Sequence, residues 1–319
     1  MIKTLKHYNY LIKYFIYNII NIFLNNGSRK MKDYPNTILF VCDGSRNHGG
    51  IADRLKGILT TYYFAKKNNS LFFILWNSPF DLNIYLHPNS FDWRLKKKYK
   101  YCDNNNLSLI LEMSKQDWKN KIKNFLFSRC LKNNNNFIVY TNLFNKKIPY
   151  SSLFFELFKP SKYLYKSINY HEQKIGGKYY SYTFRFGNTF NDFKDIVGIP
   201  LKYNQKIILL NKCINILKEF LNDQPIDYKA LVTSDSIFFL QNIKNIDNRL
   251  YVIDDPIKHP EFNKNDNINR EIWLKSFLDF YLIMKAEKVF QLKSKEMYKS
   301  GFPELAALIG EKSYCLYLF

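Results

Sequence analysis

Glycine and cysteine are scarce in this sequence. Only 11 of the 319 residues are glycine, so a glycine that falls within a cluster carries extra weight. The five cysteines include no C-x-x-C pair, and their number is odd. A disulfide framework is therefore not expected, and the chain fits a reducing compartment. The cysteines are Cys42, Cys102, Cys130, Cys213 and Cys315.

Several signatures of well-known chemistry are also missing. The sequence contains no D-x-D, no P-loop and no serine–histidine–aspartate order, and its five histidines are dispersed. Histidines and cysteines nowhere have the spacing of metal ligands. The sequence therefore gives no reason to expect a bound metal or a resident cofactor.

No apolar run is long enough to predict a membrane span, which needs about 20 apolar residues. The stretch from Leu11 to Leu24 comes nearest, but Asn18 and Asn21 interrupt it and no small-residue cleavage site follows. We expect residues 1–34 to form a basic amphipathic segment on an anionic membrane surface. The protein would then be cytoplasmic, or peripheral on the cytoplasmic face of a membrane. A terminal helix docked on the protein's own core is the alternative.

Acidic residues are few, 27 against 48 lysines and arginines, which gives a formal charge of +21. This charge makes nucleic acid a partner to consider. The basic residues are scattered, however, and abundant Lys, Asn, Ile, Tyr and Phe together are typical of a genome rich in A and T. An anionic membrane or substrate is at least as good a partner. A non-enzymatic basic α/β protein that binds nucleic acid or membrane remains the alternative function.

The first half of the chain begins as a strand, a polar loop, a helix and a second strand, which is the start of a parallel α/β sheet. A later helical stretch is broken at Pro160 and ended by Gly176-Gly177, which marks the expected domain boundary. We expect a first Rossmann-like domain over residues 35–175. Its predicted strands are 37–43, 71–76, 107–113 and 137–140, and its predicted helices are 51–67, 116–129 and 151–174.

The second half, residues 176–319, alternates more regularly. Five predicted strands are interleaved with four predicted helices, and this pattern indicates a doubly wound parallel sheet. The strands are 179–186, 230–233, 249–253, 288–292 and 314–319, and the helices are 204–221, 236–244, 271–285 and 303–309.

The first candidate site is Gly49-Gly50, between a predicted strand and a predicted helix. Two glycines let the backbone approach a ligand, and a helix N-terminus favours an anion. Asp53 and Arg54 lie in the first helical turn. We therefore include all four residues in a nucleotide-binding site, with a tight turn carrying an Asp–Arg surface pair as the alternative.

The second candidate is Arg185, which lies between two phenylalanines near the carboxyl end of a predicted strand. Ligands bind at that edge of open α/β sheets, and a guanidinium group can bind a phosphate through two donors. An arginine paired with a carboxylate for structural reasons is the alternative. Asp235 follows the next strand and either accepts hydrogen bonds from a nucleotide or caps a helix.

The last candidate is Ser300-Gly301-Phe302, which opens a helix with Pro303 in its first turn. The N–H groups of such a helix start can hold a phosphate. An ordinary capped helix is the alternative.

In this order, the segments GGIADRLKG, FRFGNT, VTSDS and SGFPELAALIG resemble the motifs of the fucosyltransferase superfamily. That group includes nodulation-factor and core α1,6-fucosyltransferases and protein O-fucosyltransferases. The resemblance covers about residues 37–319. It implies two Rossmann-like domains that face a cleft, the GT-B arrangement, with the acceptor on the N-terminal domain and GDP-fucose on the C-terminal one. It also implies inverting transfer without a metal to a glycan or polysaccharide acceptor.

The resemblance further implies roles for single residues. Arg185 matches the arginine that holds the β-phosphate, Asp235 matches an acidic nucleotide-binding residue, and Ser300, Gly301 and Phe302 match the motif at the diphosphate. Two positions depart from the family pattern, since Thr183 and Phe186 stand where a histidine and a second arginine are common. Another nucleotide sugar therefore stays open as the donor. For the catalytic carboxylate, Asp192 and Asp195 in the following loop are the candidates.

Overall fold

The computed structural model describes residues 37–95, 107–111, 137–195, 197–262 and 271–319, with the backbone alone for 107–111. The predicted membrane-surface segment, residues 1–34, and the predicted helix at 116–129 lie outside these ranges. In the part of the chain that is described, no helix is both long enough and apolar enough to span a bilayer.

The first half contains a four-stranded parallel sheet. The strand order is β2-β1-β5-β4, and helix α1 connects the central strand β1 with the edge strand β2. Strand β1 is apolar and almost wholly buried, as the sequence predicts for a strand covered on both faces. The bounds are β1 Thr37–Cys42, α1 Ile51–Lys67, β2 Leu71–Trp76, β4 Leu107–Leu111 and β5 Phe137–Thr141.

A short antiparallel ladder joins β3, Leu86–Pro88, to β6, Phe158–Pro160. The helical stretch predicted at 151–174 is therefore two helices, α2 and α3, with β6 between them, and Pro160 lies at the break as expected. Helix α3 starts where Ser161 Oγ accepts a hydrogen bond from Leu164 N at 3.2 Å and ends at Gly176. The helices are α2 Tyr150–Leu157 and α3 Lys162–Ile175.

The second half contains a five-stranded parallel sheet in the order β11-β10-β7-β8-β9. Numbered from the first strand of this half, the order is 5-4-1-2-3, the order of doubly wound nucleotide-binding sheets. The five strands and four helices predicted for this half are confirmed. They are β7 Tyr179–Phe184, α4 Tyr203–Asp223, β8 Lys229–Ser234, α5 Ile237–Ile243, β9 Leu250–Val252, α6 Glu271–Lys285, β10 Lys288–Lys293, α7 Phe302–Ile309 and β11 Ser313–Leu318.

Helix α6 connects the two halves. It is buried along most of its length, and Phe277 stacks on Tyr85 of the first half with ring centres 4.6 Å apart. Trp273 contacts Phe80 with the two rings tilted and their centres 5.2 Å apart. One face of each sheet therefore packs into a continuous hydrophobic core through α6. Residues on both sides of the expected boundary at 175–176 belong to this core.

Candidate active site

All the sequence candidates lie at the carboxyl ends of the central strands. The glycine loop follows β1, Arg185 follows β7, Asp235 follows β8, and the Ser300 segment follows β10. The order of the second sheet changes direction between β7 and β10, which is where doubly wound folds bind their ligands. The topology thus brings the second and fourth candidates to this crevice.

The guanidinium group of Arg185 lies between two carboxylates. Its Nη1 is 3.2 Å from Asp235 Oδ2, and its Nη2 contacts Asp195 Oδ2. Its carbon lies 4.7 Å from the ring centre of Phe193. The side chain still exposes 19% of its surface. The carboxylate pairing weighed as the alternative is therefore present, yet the group stays accessible to a ligand.

Asp235 is buried beneath this arginine. Its two oxygens accept hydrogen bonds from Phe186 N at 2.9 Å and Gly187 N at 2.7 Å. Burial raises the pKa of this carboxyl, although Arg185 and the two amides oppose the effect. In this structure Asp235 fixes the turn after β7 and the position of Arg185, and a direct contact with a nucleotide stays a prediction.

The two catalytic candidates, Asp192 and Asp195, are both engaged. Asp192 Oδ2 accepts from Ser236 Oγ at 2.7 Å and from Phe238 N at 2.9 Å, so it supports the first turn of α5. Asp195 pairs with Arg185, and its backbone is held by the side chain of Asn188. Of the two, Asp195 is the one in contact with the predicted phosphate-binding group.

A hydrogen bond joins the second and fourth candidates. Tyr298 N donates to Arg185 O at 3.0 Å, which holds the segment after β10 against the end of β7. Two residues further on, Ser300 Oγ accepts from Phe302 N at 3.1 Å and supports the start of α7. The arginine and the helix start are thus parts of one local structure.

Glu261, which sequence reasoning did not single out, reaches the glycine loop from the second half of the chain. Its Oε1 accepts from His48 N at 2.8 Å and from Gly49 N at 2.9 Å, and it lies 3.2 Å from Arg54 Nη2. Its own backbone N–H donates to His259 Nδ1 at 3.2 Å. Residues 259–261, which follow β9, therefore lie against the glycine loop.

Arg54 is almost fully buried below that loop. Its Nη1 donates to Ser78 O at 2.6 Å, its Nε donates to Gly49 O at 3.2 Å, and its guanidinium carbon lies 5.2 Å from the Trp76 ring centre. The surface pair of Asp53 with Arg54 considered above does not form, because Asp53 pairs with Lys56 instead, at 3.1 Å. Arg54 thus holds the loop in shape, and its contact with a nucleotide stays a prediction.

The two histidines at this place carry no charge near neutral pH. Burial and, to a smaller extent, the charge of Arg54 lower the pKa of His48 to about 4. Burial also lowers the pKa of His259, with Arg185 adding to the effect. The positive charges described here are therefore those of arginine and lysine side chains.

The fold and the site define a two-domain α/β protein of the GT-B type. No family model matches the sequence, and no curated protein matches it. Solved structures do match the fold of this chain. Against NodZ alpha-1,6-fucosyltransferase soaked with GDP-fucose, the TM-score is 0.55 at 11% identity, over 86% of this chain and 92% of the other. Fucosyltransferase NodZ from Bradyrhizobium gives 0.54 at 13%, over 86% and 93%. The apo form of POFUT1 gives 0.52 at 7%, over 91% and 99%.

These matches confirm the fucosyltransferase-like fold that the four motifs predicted. Because the identities are so low, they establish the architecture and leave single residues to be argued from geometry. Within the described residues, no group of three or more His, Cys, Asp or Glu side chains could hold a metal ion.

Proposed function

We propose that this protein is an inverting glycosyltransferase that moves fucose, or a related sugar, from a GDP-sugar to a glycan acceptor without requiring a metal. One observation carries the proposal. An accessible arginine and the start of a helix are joined at the switch point of a doubly wound sheet. The fold is shared with NodZ solved with GDP and with GDP-fucose, and with POFUT1 solved with GDP.

The reaction breaks the bond between the sugar's anomeric carbon and the β-phosphate oxygen. The electron pair stays on the diphosphate, so negative charge grows there while the sugar gains positive character. Arg185 and the N–H groups at the start of α7 would stabilise that charge, and a donor of this kind is worth about 3 kcal/mol in comparable sites. This stabilisation is the function that a divalent cation supplies in other transferases.

An acceptor hydroxyl would attack the anomeric carbon from the opposite face, and its proton must go to a base. We assign that role to Asp195 ahead of Asp192. When a phosphate takes the Nη2 donor of Arg185, Asp195 loses its counter-ion and becomes a better proton acceptor. Donor binding would thereby prepare the base.

The acceptor is proposed to be a cell-surface glycan or polysaccharide that meets the first domain. Residues 1–34 are proposed to hold the enzyme on the cytoplasmic face of an anionic membrane; the support is the basic, aromatic-rich sequence of that segment. Deletion of residues 1–30 should release the protein from anionic vesicles without unfolding it. An unfolded truncated protein would contradict this assignment.

A donor screen tests the function. The full chain is incubated with a mixture of glycan acceptors and, in turn, with GDP-fucose, other GDP-sugars and UDP-sugars in excess EDTA, and release of the free nucleoside diphosphate is followed. Release from a GDP-sugar, fastest for GDP-fucose, is expected. Release from no nucleotide sugar, or only after a divalent cation is added, would contradict the proposal.

A further inference from the structure

The charge around Arg185 is already balanced. One guanidinium group contacts the carboxylates of Asp195 and Asp235, so even with a proton on Asp235 the three groups together carry no net positive charge. The diphosphate of a nucleotide sugar carries more than one negative charge. A further cation next to this site would therefore strengthen the binding of a diphosphate beyond what Arg185 and the start of α7 supply.

Lys56 is a buried cation next to the start of α7. It lies on α1 of the first half, only 5% exposed, and its Nζ is 5.1 Å from the ring centre of Phe144. Its Nζ also lies so close to Gly301, at the start of α7, that a Cβ added at Gly301 would collide with it. The ammonium group thus crosses from one half to the helix start of the other.

Two features make this position unfavourable for an ammonium group. The N-terminus of a helix carries partial positive charge, which repels a cation, and burial removes the ammonium group from water. Among the residues that the structure describes, the carboxylate paired with Lys56 is that of Asp53, at 3.1 Å, and about a third of its side chain is exposed to water. An anion bound between Lys56 and the start of α7 would relieve both costs.

We propose that Lys56 binds the diphosphate of the donor from the opposite domain, so that Arg185 and Lys56 hold the diphosphate across the cleft. Gly301 is then glycine because any side chain there would displace the ammonium group. The inference rests on the proposed function, since it identifies a further residue of the same donor site.

The test compares the binding of GDP and of guanosine by calorimetry. Lys56→Met keeps a side chain of similar length without its charge, and Lys67→Met on the exposed last turn of the same helix is the matched control. Lys56→Met should weaken GDP binding about tenfold or more, because a charge-assisted hydrogen bond is lost, and should leave guanosine binding unchanged. Lys67→Met should bind both as the unaltered protein does.

A second variant keeps the test independent of folding. Gly301→Ala retains the lysine but moves its Nζ, so it should also weaken GDP binding, and the double variant should lose little more than either single one. If folded Lys56→Met and Gly301→Ala proteins bind GDP with unaltered affinity, the role of Lys56 is refuted and the proposed function stands. If the unaltered protein does not bind GDP, the proposed function itself fails, and this inference fails with it.

Discussion

Two arginines occupy equivalent places in the two halves of this molecule, and their surroundings differ. Arg54 follows β1 and Arg185 follows β7, and each contacts a carboxylate at the carboxyl edge of a parallel sheet. Arg54 is 3% exposed and donates to two backbone carbonyl groups as well as pairing with Glu261, whereas Arg185 is 19% exposed, pairs with Asp195 and Asp235 and lies over the Phe193 ring. A buried guanidinium group whose donors go largely to carbonyls cannot reach a ligand, while an accessible one held by carboxylates can exchange a carboxylate for a phosphate. We therefore assign Arg54 to structure and propose Arg185 for chemistry.

The largest effect should come from removing the structural arginine. Arg54→Met leaves Glu261 as a buried charge without its counter-ion, so the free energy of unfolding should fall by about 3–5 kcal/mol. Denaturant unfolding of both proteins measures the loss. A loss below about 1 kcal/mol would show that the two arginines do not differ as described.

Replacement of Arg185 should lower activity rather than stability. Arg185→Lys keeps the charge but cannot present two parallel donors to a phosphate, so turnover should fall roughly 100- to 1,000-fold with little change in melting temperature. Rate and melting temperature are measured on the same preparation. A destabilised protein whose folded fraction keeps normal activity would assign Arg185 to structure, and a stable, fully active one would remove it from the site.

A smaller effect on the free energy of unfolding should appear when the pH is lowered, and it comes from His48 near the glycine loop. The pKa of His48 is about 4 in the native state and about 6.5 in an unfolded chain, so only the unfolded chain takes up a proton as the pH falls below 6.5. The stabilisation that comes from keeping His48 neutral in the native state is therefore complete above pH 6.5 and is lost as the pH falls toward 4. Between pH 7 and pH 5 it amounts to about 2 kcal/mol.

His48→Gln isolates this contribution, because the backbone N–H of residue 48 still donates to Glu261. The variant should lose about 2 kcal/mol less than the unaltered protein when both are unfolded in denaturant at pH 7 and at pH 5. Equal losses would mean that His48 is not the group that titrates.

Local sequence pattern was enough to predict the strands and helices of the second half. Helix α7 was predicted at 303–309 and is found at Phe302–Ile309, and the break at Pro160 separates two helices as expected. These features depend on periodicity and on proline and glycine chemistry within a few residues. The arrangement of the second half followed from its alternation of strands and helices, so the position of Arg185 at a sheet edge could be predicted as well.

The partners of the site residues could not be predicted in the same way. Glu261 lies 207 residues from Arg54 in the sequence, in a polar stretch without periodicity, and nothing local marks it as a contact of the glycine loop. Lys56 was one of many lysines until the fold placed it against Gly301. The contact of Asp195 with Arg185 likewise depends on how a loop folds back over the strand that precedes it. Contacts between residues that are far apart in the sequence depend on tertiary packing, which the local pattern of a single sequence does not reveal.

We propose above that this protein binds a GDP-sugar without a metal. Thermal unfolding of the full chain with GDP in excess EDTA tests this most directly. At a GDP concentration about 100 times its dissociation constant, the native state should gain about 2.7 kcal/mol and the melting temperature should rise accordingly. A melting temperature that GDP leaves unchanged, or that rises only when a divalent cation is present, would contradict the account.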